Sequence, residues 1–413
     1  MPMNSRLRAN SLLDNDRLAI EGGSPVRSTP MPARLAVGTA ERTMIAEALD
    51  YYTEHELDPG YQGPFEQRYC DAFCTLMGGG YADAVATGTA ALYIALAALN
   101  LPEGSEVLVS PITDPGSLSP IILNRLVPRL VDSRVGSYNT GVKEIQSRIT
   151  KRTSCILVVH SLGQAAEIDA IVELAHGLGL KVLEDCSQAH GALWKGQRVG
   201  TFGDVAAFST MYRKASITGA SGGVIFTKDI DIHQQALAYA DRGKPRWRAD
   251  FDDRNPAQYL FPALNFNTDE ISCAIGLASI HRLDETRRRR LEYVADVSNL
   301  IHKRCSACRP YGYADDDSPF IYPIVVNTGA IRVNKEAFAR AVIAEGIGLN
   351  PHYQYLVADW PWVRPYLSDD FDTPNARNIR DSTFNLYLNE KYGEQEVLDT
   401  VDAIVKVERA YLK

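Results

Sequence analysis

Four short runs of apolar and β-branched residues, spaced along the middle of the chain, constrain its fold most. They occupy residues 106–110, 127–132, 154–160 and 180–185, and the segment 167–177 between the last two has helical periodicity. Strands that alternate with helices predict an α/β fold with a largely parallel sheet covered on both faces. Ligands of such sheets bind at the carboxyl ends of the strands, which is where His160 and Asp185 stand.

The sequence beyond about residue 285 predicts a smaller α+β unit. A long charged helix is followed there by a β-rich run at 319–326 and by helices at 335–345 and 394–412. The first forty residues carry turn-forming glycines and prolines, which is typical of an arm that wraps around other elements. We therefore expect an N-terminal arm at 1–40, a large domain at 41–285 and a small C-terminal domain at 286–413.

Charge and composition argue against several classes of protein. The chain has 413 residues, of which 45% are hydrophobic and 23% charged, as is usual for a globular protein. Its net charge of -8 argues against a nucleic-acid partner, and the basic run 287–290 predicts a solvated helix face. The most apolar stretch, 84–101, includes a Thr-Gly-Thr turn, so it predicts a strand and a buried helix rather than a membrane span.

The cysteines and the amino terminus predict a cytoplasmic location. Seven cysteines are present, and the first residues lack the apolar segment of a signal peptide, so we expect reduced thiols. Cys305 and Cys308 form a CxxC pair without a second pair of ligands. We therefore expect no metal site.

Lys214, Asp185 and Ser209 supply the parts that a pyridoxal phosphate (PLP) enzyme needs. A lysine amine forms a Schiff base with the cofactor, and an aspartate at the end of an apolar strand holds a proton on the pyridine nitrogen. A serine hydroxyl suits the phosphate group. This combination predicts that Lys214 is the covalent attachment point of PLP.

A glycine turn at Gly88 supplies a second element of a phosphate site. It leads into an Ala- and Leu-rich helix, whose first backbone N–H groups are free to face an anion, and the helix dipole adds to the attraction. An ordinary N-cap by Thr87 or Thr89 is the alternative interpretation of this turn.

Several motifs in this order resemble the DegT/StrS-type sugar aminotransferase family. The similarity covers roughly residues 18–410 and rests on the segments 88–92, 159–164, 184–191, 199–204, 208–214 and 221–224. The resemblance implies fold type I of the PLP-dependent transferases, with a mostly parallel seven-stranded sheet in the large domain. It also implies a homodimer whose active sites are shared between the subunits. Lys214 disfavours the related sugar 3-dehydratases, which carry histidine at this position.

The resemblance further implies a role for each site residue. Asp185 pairs with the pyridine nitrogen, Gln188 reaches the ring hydroxyl, and Asn265 crosses to the phosphate of the neighbouring subunit. Ser209 and the backbone of Gly88, Thr89 and Ala90 hold the phosphate. His352 and Tyr353 match a pair of residues near the substrate.

Two positions depart from the family pattern. Asp114 stands where most members have an aromatic residue stacked on the cofactor ring, and Asn267 stands where an arginine is usual. Either another side chain covers the ring, or the Asp-Pro-Gly turn withdraws the loop and directs a carboxylate at the substrate. Arg213 and the basic residues 242–248 are candidates to replace the missing cation, and a basic surface loop is the alternative.

We therefore predict a PLP-dependent aminotransferase that moves an amino group from glutamate or glutamine to a ketone of a sugar, sugar nucleotide or cyclitol. A small-molecule donor and a keto acceptor are its expected partners. Other PLP chemistry on the same fold (elimination, racemisation or decarboxylation) and a catalytically silent PLP-binding sensor are the alternatives. Packing is the other interpretation of the histidines and of Tyr353. We predict substrate contacts for Asp114, His160, Arg213, Arg242, His352 and Tyr353.

Overall fold

A seven-stranded sheet forms the centre of the larger part of the protein, whose computed structural model describes residues 17–413. Its strands follow the order β1-β9-β8-β5-β4-β2-β3, and only β9 runs antiparallel to its neighbours. The predicted mostly parallel α/β sheet is therefore confirmed. Strands β1 to β9 span Tyr81–Val85, Glu106–Val109, Val127–Leu130, Thr153–Val159, Lys181–Asp185, Leu193–Trp194, Gln197–Arg198, Val205–Ser209 and Gly223–Thr227, and β6 with β7 forms a separate hairpin.

The central strands are buried on both faces, which explains their nearly continuous apolar sequences. Each of the four predicted runs forms a strand, from β2 to β5. Strands β8 and β9 were not among the predicted strands. β8 is only five residues long with two alanines, so its β-branched signal is weak. β9, with the sequence GVIFT, does carry a β-branched and aromatic signal, and the prediction overlooked it.

Eight helices cover the two faces of this sheet. Helix α3 is apolar on every side and buried at nearly every position, as expected of a helix enclosed in the core. The apolar stretch 84–101 thus forms the end of β1 and α3, and no helix within residues 17–413 combines the length and apolarity needed to cross a bilayer. Helices α1 to α8 span Thr39–Glu54, Pro64–Leu76, Gly88–Ala98, Pro115–Leu123, Val142–Arg148, Ile168–Gly177, Ile230–Ala240 and Glu270–His281.

A second, four-stranded antiparallel sheet with the order β10-β11-β13-β12 organises the C-terminal part. Its core contains Tyr322, Phe338 and Phe384 together with the buried face of the long helix α9. The exact domain boundaries stay a prediction. In chain order the elements are α9 (Leu283–Arg304), β10 (Cys308–Pro310), β11 (Ile321–Val326), α10 (Lys335–Ala344), β12 (Leu349–Asn350), α11 (Pro374–Ser382), β13 (Thr383–Tyr387) and α12 (Glu394–Tyr411).

The arm packs against both parts of the molecule. Residues 1–16 of the predicted arm lie outside the described residues. Arg27 pairs with Glu396 and Asp399 of α12, at 3.0 and 2.7 Å. The Ala36 carbonyl oxygen accepts a hydrogen bond from Arg282 at 2.9 Å. These contacts hold the arm on both parts before it enters α1.

The basic run at the start of α9 is only partly the solvated face that its sequence predicts. Arg288 and Arg289 are exposed and pair with Glu285 on the same helix. Arg290 is 2% exposed and pairs with Glu390 at 3.2 Å. The interpretation was wrong for Arg290, because a run of four residues covers more than one full turn of a helix and so must include the buried side.

A close approach joins the large domain to the segment before β11. Gly163 has a φ of +91°, and a β-carbon built on it would lie 1.8 Å from the Ser318 carbonyl oxygen. The Ser318 N–H donates to the Gly163 carbonyl oxygen at 2.9 Å. Only glycine fits this contact, which positions the segment carrying Phe320.

Candidate active site

A cavity of about 1090 Å³ opens at the carboxyl edge of the seven-stranded sheet. Strands β4, β5 and β8 reach it with their last residues, Val159, Asp185 and Ser209. From the C-terminal part, Phe320 and Tyr353 also line it. This is the position that the sequence predicts for a ligand, and the volume is large enough for a cofactor together with a substrate.

Lys214 lies in the turn after β8 and lines the cavity. Its backbone N–H donates to the Met211 carbonyl oxygen at 2.9 Å, and its side-chain Nζ lies 4.4 Å from the centre of the Phe320 ring. Burial lowers the pKa of the amine from 10.5 to about 8, while the charges of Asp185 and Asp114 act in the opposite direction. The amine therefore loses its proton far more easily than an ordinary lysine does.

Asp185 is buried at the end of β5 and is held by two hydrogen bonds. Its Oδ2 accepts from the Ser117 hydroxyl at 2.7 Å, and its Oδ1 accepts from the Ser187 N–H at 3.0 Å. Because Ser117 uses its proton on the carboxylate, the Thr113 hydroxyl must donate to Ser117 Oγ, at 2.7 Å. This chain of hydroxyl groups fixes the carboxylate in one orientation.

Sequence reasoning missed Ser117 and Thr113. Thr113 stands directly before the N-cap of α4 and Ser117 lies in the first turn of that helix, and their four-residue spacing was the available signal. Nothing in the sequence indicates, however, that this face meets the end of β5.

Gln188 lines the cavity with its amide orientation fixed. Its Oε1 accepts a hydrogen bond from the Leu162 N–H at 2.8 Å. A backbone N–H requires an acceptor, so the amide oxygen must face Leu162, and the NH₂ group remains for other partners. Gln188 can therefore donate to an oxygen atom of a ligand.

The N-terminus of α3 meets the end of β8 at Gly88. A β-carbon on Gly88 would lie 2.4 Å from Ser209 Cβ, so only glycine allows the two segments to approach. Gly88, Thr89 and Ser209 line the cavity. The N–H groups of Gly88 and Thr89 at the helix end, together with the Ser209 hydroxyl, make an anion site.

Ala90 does not contribute its backbone N–H to this site, contrary to the prediction. Thr87 is the N-cap of α3, and its Oγ1 accepts from the Ala90 N–H at 2.8 Å. The sequence leaves the N-cap and the anion site as alternatives for this turn. In the structure the N-cap binds the third helical N–H, that of Ala90, and the N–H groups of Gly88 and Thr89 remain available to the cavity.

Asp114 begins α4 rather than a turn. Its Oδ1 accepts from the Gly116 N–H at 2.8 Å as an N-cap, with Pro115 in the first helical position. The exposed carboxylate nevertheless lines the cavity and is close enough to Lys214 to affect its pKa. Arg213 also lines the cavity, with its guanidinium 5.3 Å from the centre of the Tyr212 ring.

Tyr353 and His352 separate, although they are adjacent in sequence. Tyr353 lines the cavity, and burial raises the pKa of its hydroxyl group. His352 is not part of the cavity lining, and its Nδ1 lies 3.1 Å from Lys335 Nζ and 3.4 Å from Glu336 Oε1. The predicted substrate contact of His352 is therefore wrong for this arrangement, because its ring points toward α10.

His160 is fully buried beneath the sheet edge and does not line the cavity, which corrects its predicted contact with the substrate. Its Nδ1 accepts from the Ala166 N–H at 3.1 Å, so Nε2 carries the proton and donates to Glu184 Oε2 at 2.9 Å. Cys186 lies close to both side chains. Glu184 also accepts three backbone N–H groups, so these residues form a satisfied hydrogen-bond network rather than a metal site.

Arg242 and Asn265 lie outside the cavity of their own chain. Arg242 is 40% exposed and pairs with Asp241 at 2.7 Å. The exposed Asn265 accepts from the Asn267 backbone and side chain through its Oδ1. Lys244 and Arg246 also pair with Asp241, whereas the exposed Arg248 has no ion pair among the described residues and does not line the cavity. The predicted substrate contact of Arg242 is therefore absent from this cavity.

Arg34 is a cavity residue that sequence reasoning missed. Its Nη1 donates to the carbonyl oxygens of Tyr212 and Lys214, at 2.9 and 2.7 Å. Its Nε donates to Glu390 at 2.9 Å. An isolated arginine in an arm carries no sequence pattern that would indicate this contact.

Comparison with known proteins identifies the group to which this arrangement is similar. A family model described as the DegT/DnrJ/EryC1/StrS aminotransferase family matches residues 46–405. A putative L-glutamine:3-amino-2,3-dideoxy-scyllo-inosose aminotransferase of Streptoalloteichus tenebrarius is 28% identical over 95% of this chain and 98% of its own length. A GDP-perosamine synthase of Escherichia coli O157:H7 is 34% identical over 57% of this chain and 62% of its own length.

A solved structure shares the fold over nearly the whole chain. The aminotransferase from Psychrobacter cryohalolentis superposes with a TM-score of 0.84 and covers 92% of this chain and 99% of its own. The two sequences are 23% identical, so this likeness concerns the fold.

Proposed function

Because the chain belongs to the DegT/DnrJ/EryC1/StrS aminotransferase family and is a PLP-dependent aminotransferase, we propose that it aminates a keto group of a sugar, sugar nucleotide or cyclitol. Glutamate or glutamine is the proposed amino donor. The names of the two relatives, a perosamine synthase and an aminotransferase of an inosose, support an acceptor of this kind. The convergence of Lys214, Asp185 and the helix end at Gly88 on one cavity carries the proposal.

The side chains around the cavity fit PLP. The N–H groups of Gly88 and Thr89 and the hydroxyl of Ser209 would hold its phosphate, at a position where a β-carbon on residue 88 would clash with Ser209. The Asp185 carboxylate would accept a hydrogen bond from the protonated pyridine nitrogen and so keep the proton on the ring, and the NH₂ group of Gln188 would donate to the ring hydroxyl. Lys214 would be the covalent attachment point.

The chemistry follows from these side chains. Bound PLP supplies an electron sink and carries the amino group from donor to acceptor. Lys214 Nζ would move the proton at the α-carbon of the donor, and its pKa of about 8 suits a base at neutral pH. Ser117 and Ser187 hold Asp185 in position, and the Phe320 ring shields the amine from water.

Asp114, Arg213 and Tyr353 would contact the substrate, because each lines the same cavity as Lys214. Asp114 offers an acceptor for substrate hydroxyl or amino groups, and Arg213 offers a cation for a carboxylate or phosphate. We also propose a homodimer in which the exposed Asn265 reaches the phosphate of the other subunit's cofactor. Sedimentation of the purified protein measures whether such a dimer forms.

The half-reaction with the donor tests the function. Protein loaded with PLP is mixed with L-glutamate or L-glutamine, and absorbance follows the conversion of the cofactor to pyridoxamine phosphate. We expect conversion by at least one donor and none in Lys214→Ala. A full scan of amine donors without conversion would refute the aminotransferase assignment.

A further inference from the structure

Arg34 forms hydrogen bonds with the main chain on both sides of the Lys214 side chain. Its guanidinium donates to the carbonyl oxygens of Tyr212, Lys214 and Ala215, at 2.9, 2.7 and 3.3 Å. The side chain is only 15% exposed. One residue of the arm thus binds three carbonyl groups of the turn that carries the lysine.

The same guanidinium is joined to the C-terminal part of the molecule. Arg34 Nε donates to Glu390 Oε1 at 2.9 Å, and Arg290 Nη2 donates to Glu390 Oε2 at 3.2 Å. Burial lowers the pKa of Arg290 to about 10, against the effect of Glu390, and the residue stays charged at neutral pH. Arg34, Glu390 and Arg290 therefore form a largely buried chain of alternating charges, in which Arg290 is buried and the other two side chains are 15% exposed. The chain joins the arm, the segment after β13 and α9.

Arg290 extends this chain to the other side of the lysine. Its Nη1 donates to the Pro319 carbonyl oxygen at 3.3 Å, directly before Phe320. The Phe320 ring lies 4.4 Å from Lys214 Nζ. The charge chain consequently holds both the backbone from which the lysine extends and the ring that covers its amine.

We propose that Arg34 is a positioning residue for Lys214, and that it transmits the docking of the arm and of the C-terminal part to the lysine turn. The proposal rests on the proposed function, since it concerns the lysine that would bind PLP. Arginine suits the task because its planar guanidinium has five N–H donors on three nitrogen atoms, and each of the three nitrogens donates in these contacts. A lysine ammonium has the charge but not the fork.

Arg34→Lys and Arg34→Ala test this role, with Arg27→Ala as the matched control. Arg27 belongs to the same arm, is 10% exposed and pairs with carboxylates of α12, but it does not contact the lysine turn. We expect both Arg34 variants to slow PLP attachment to the apo protein and the glutamate half-reaction, by roughly 10- to 100-fold. Arg27→Ala should lower thermal stability and leave both rates near those of the wild type.

A double variant distinguishes an effect through Lys214 from a general structural effect. In Lys214→Ala protein, a further Arg34→Lys change should leave the dissociation constant of PLP unchanged, because the lysine through which it acts is absent. A loss of PLP binding in this background would overturn the proposal. So would an Arg34→Lys protein with wild-type attachment and half-reaction rates, or an Arg27→Ala protein with the same losses.

Failure of the proposed function would be recognised separately. If the wild-type protein attaches PLP at Lys214 but no donor converts it, the aminotransferase reaction fails while PLP attachment still tests Arg34. If Arg34→Ala does not fold, Arg34→Lys and its double variant decide the question.

Discussion

The Ser117 hydroxyl lies 2.7 Å from Asp185 Oδ2, between residues that are 68 positions apart in sequence. A hydroxyl donor to a charged acceptor contributes about 1.5–3 kcal/mol. We therefore expect Ser117→Ala to slow the glutamate half-reaction by roughly 10-fold or more, measured by stopped-flow absorbance. Ser119→Ala, on the same helix, is the control. Equal rates in the two variants would show that the hydrogen bond does not orient Asp185 for the reaction.

The lowered pKa of Lys214 predicts how PLP attachment depends on pH. Only the neutral amine attacks an aldehyde, so attachment to the apo protein should accelerate with rising pH and level off above about pH 8. Attachment to an ordinary lysine would keep accelerating up to about pH 10.5. Borohydride trapping followed by peptide mapping measures the rate at Lys214 itself. A midpoint near that of an ordinary lysine would contradict the desolvation argument.

Asp114 has two separable roles, as an N-cap and as a charge near Lys214. Asn keeps the cap and removes the charge, so Asp114→Asn should leave the free energy of unfolding nearly unchanged. Because the Asp114 charge raises the pKa of Lys214, its removal should move the attachment midpoint to lower pH. Asp114→Ala should shift the midpoint equally and also cost about 1 kcal/mol in urea unfolding. A midpoint that moves only in the alanine variant would assign the effect to the helix start rather than the charge.

Gly88 predicts a steric limit on the phosphate site. A β-carbon there would lie 2.4 Å from Ser209 Cβ and 2.9 Å from Ser209 Oγ, so Gly88→Ala must displace the helix end or the serine. We expect PLP affinity to fall by at least roughly 10-fold, because the misplaced N–H groups no longer converge on the anion. Gly177→Ala, where a β-carbon meets open space at the end of α6, is the control. Fluorescence titration with PLP compares the two proteins.

The sequence was sufficient for the parts of the site whose geometry is local. Lys214, Asp185 and the Gly88 turn each belong to a short segment that ends a strand or begins a helix, and the order of strands and helices brings such ends together. Ser117 and Arg34 could not be predicted in the same way. Their contacts depend on where α4 and the arm lie against distant segments, and no local pattern specifies those positions.

The predicted substrate contacts of His160 and His352 were wrong for a different reason. Val159 and His160 are successive residues at the end of β4, and successive side chains in an extended chain point to opposite sides. Val159 lines the cavity, so His160 faces the interior and Glu184. Tyr353 and His352 also separate, in a segment that lies outside the strands and helices. A motif identifies the segment near a site, but the direction of each side chain depends on the conformation at that residue.

Because Phe320 lies over the Lys214 amine, the pKa of Lys214 depends on the position of the small domain. The ring that keeps water from the amine is carried by a segment outside the sheet that carries the lysine. Because burial lowers the pKa of Lys214, a movement that takes Phe320 away would hydrate the ammonium form and raise that pKa in the direction of 10.5. An open molecule would thus hold a lysine with a higher pKa, and closure would lower that pKa toward about 8 and increase the neutral fraction of the amine.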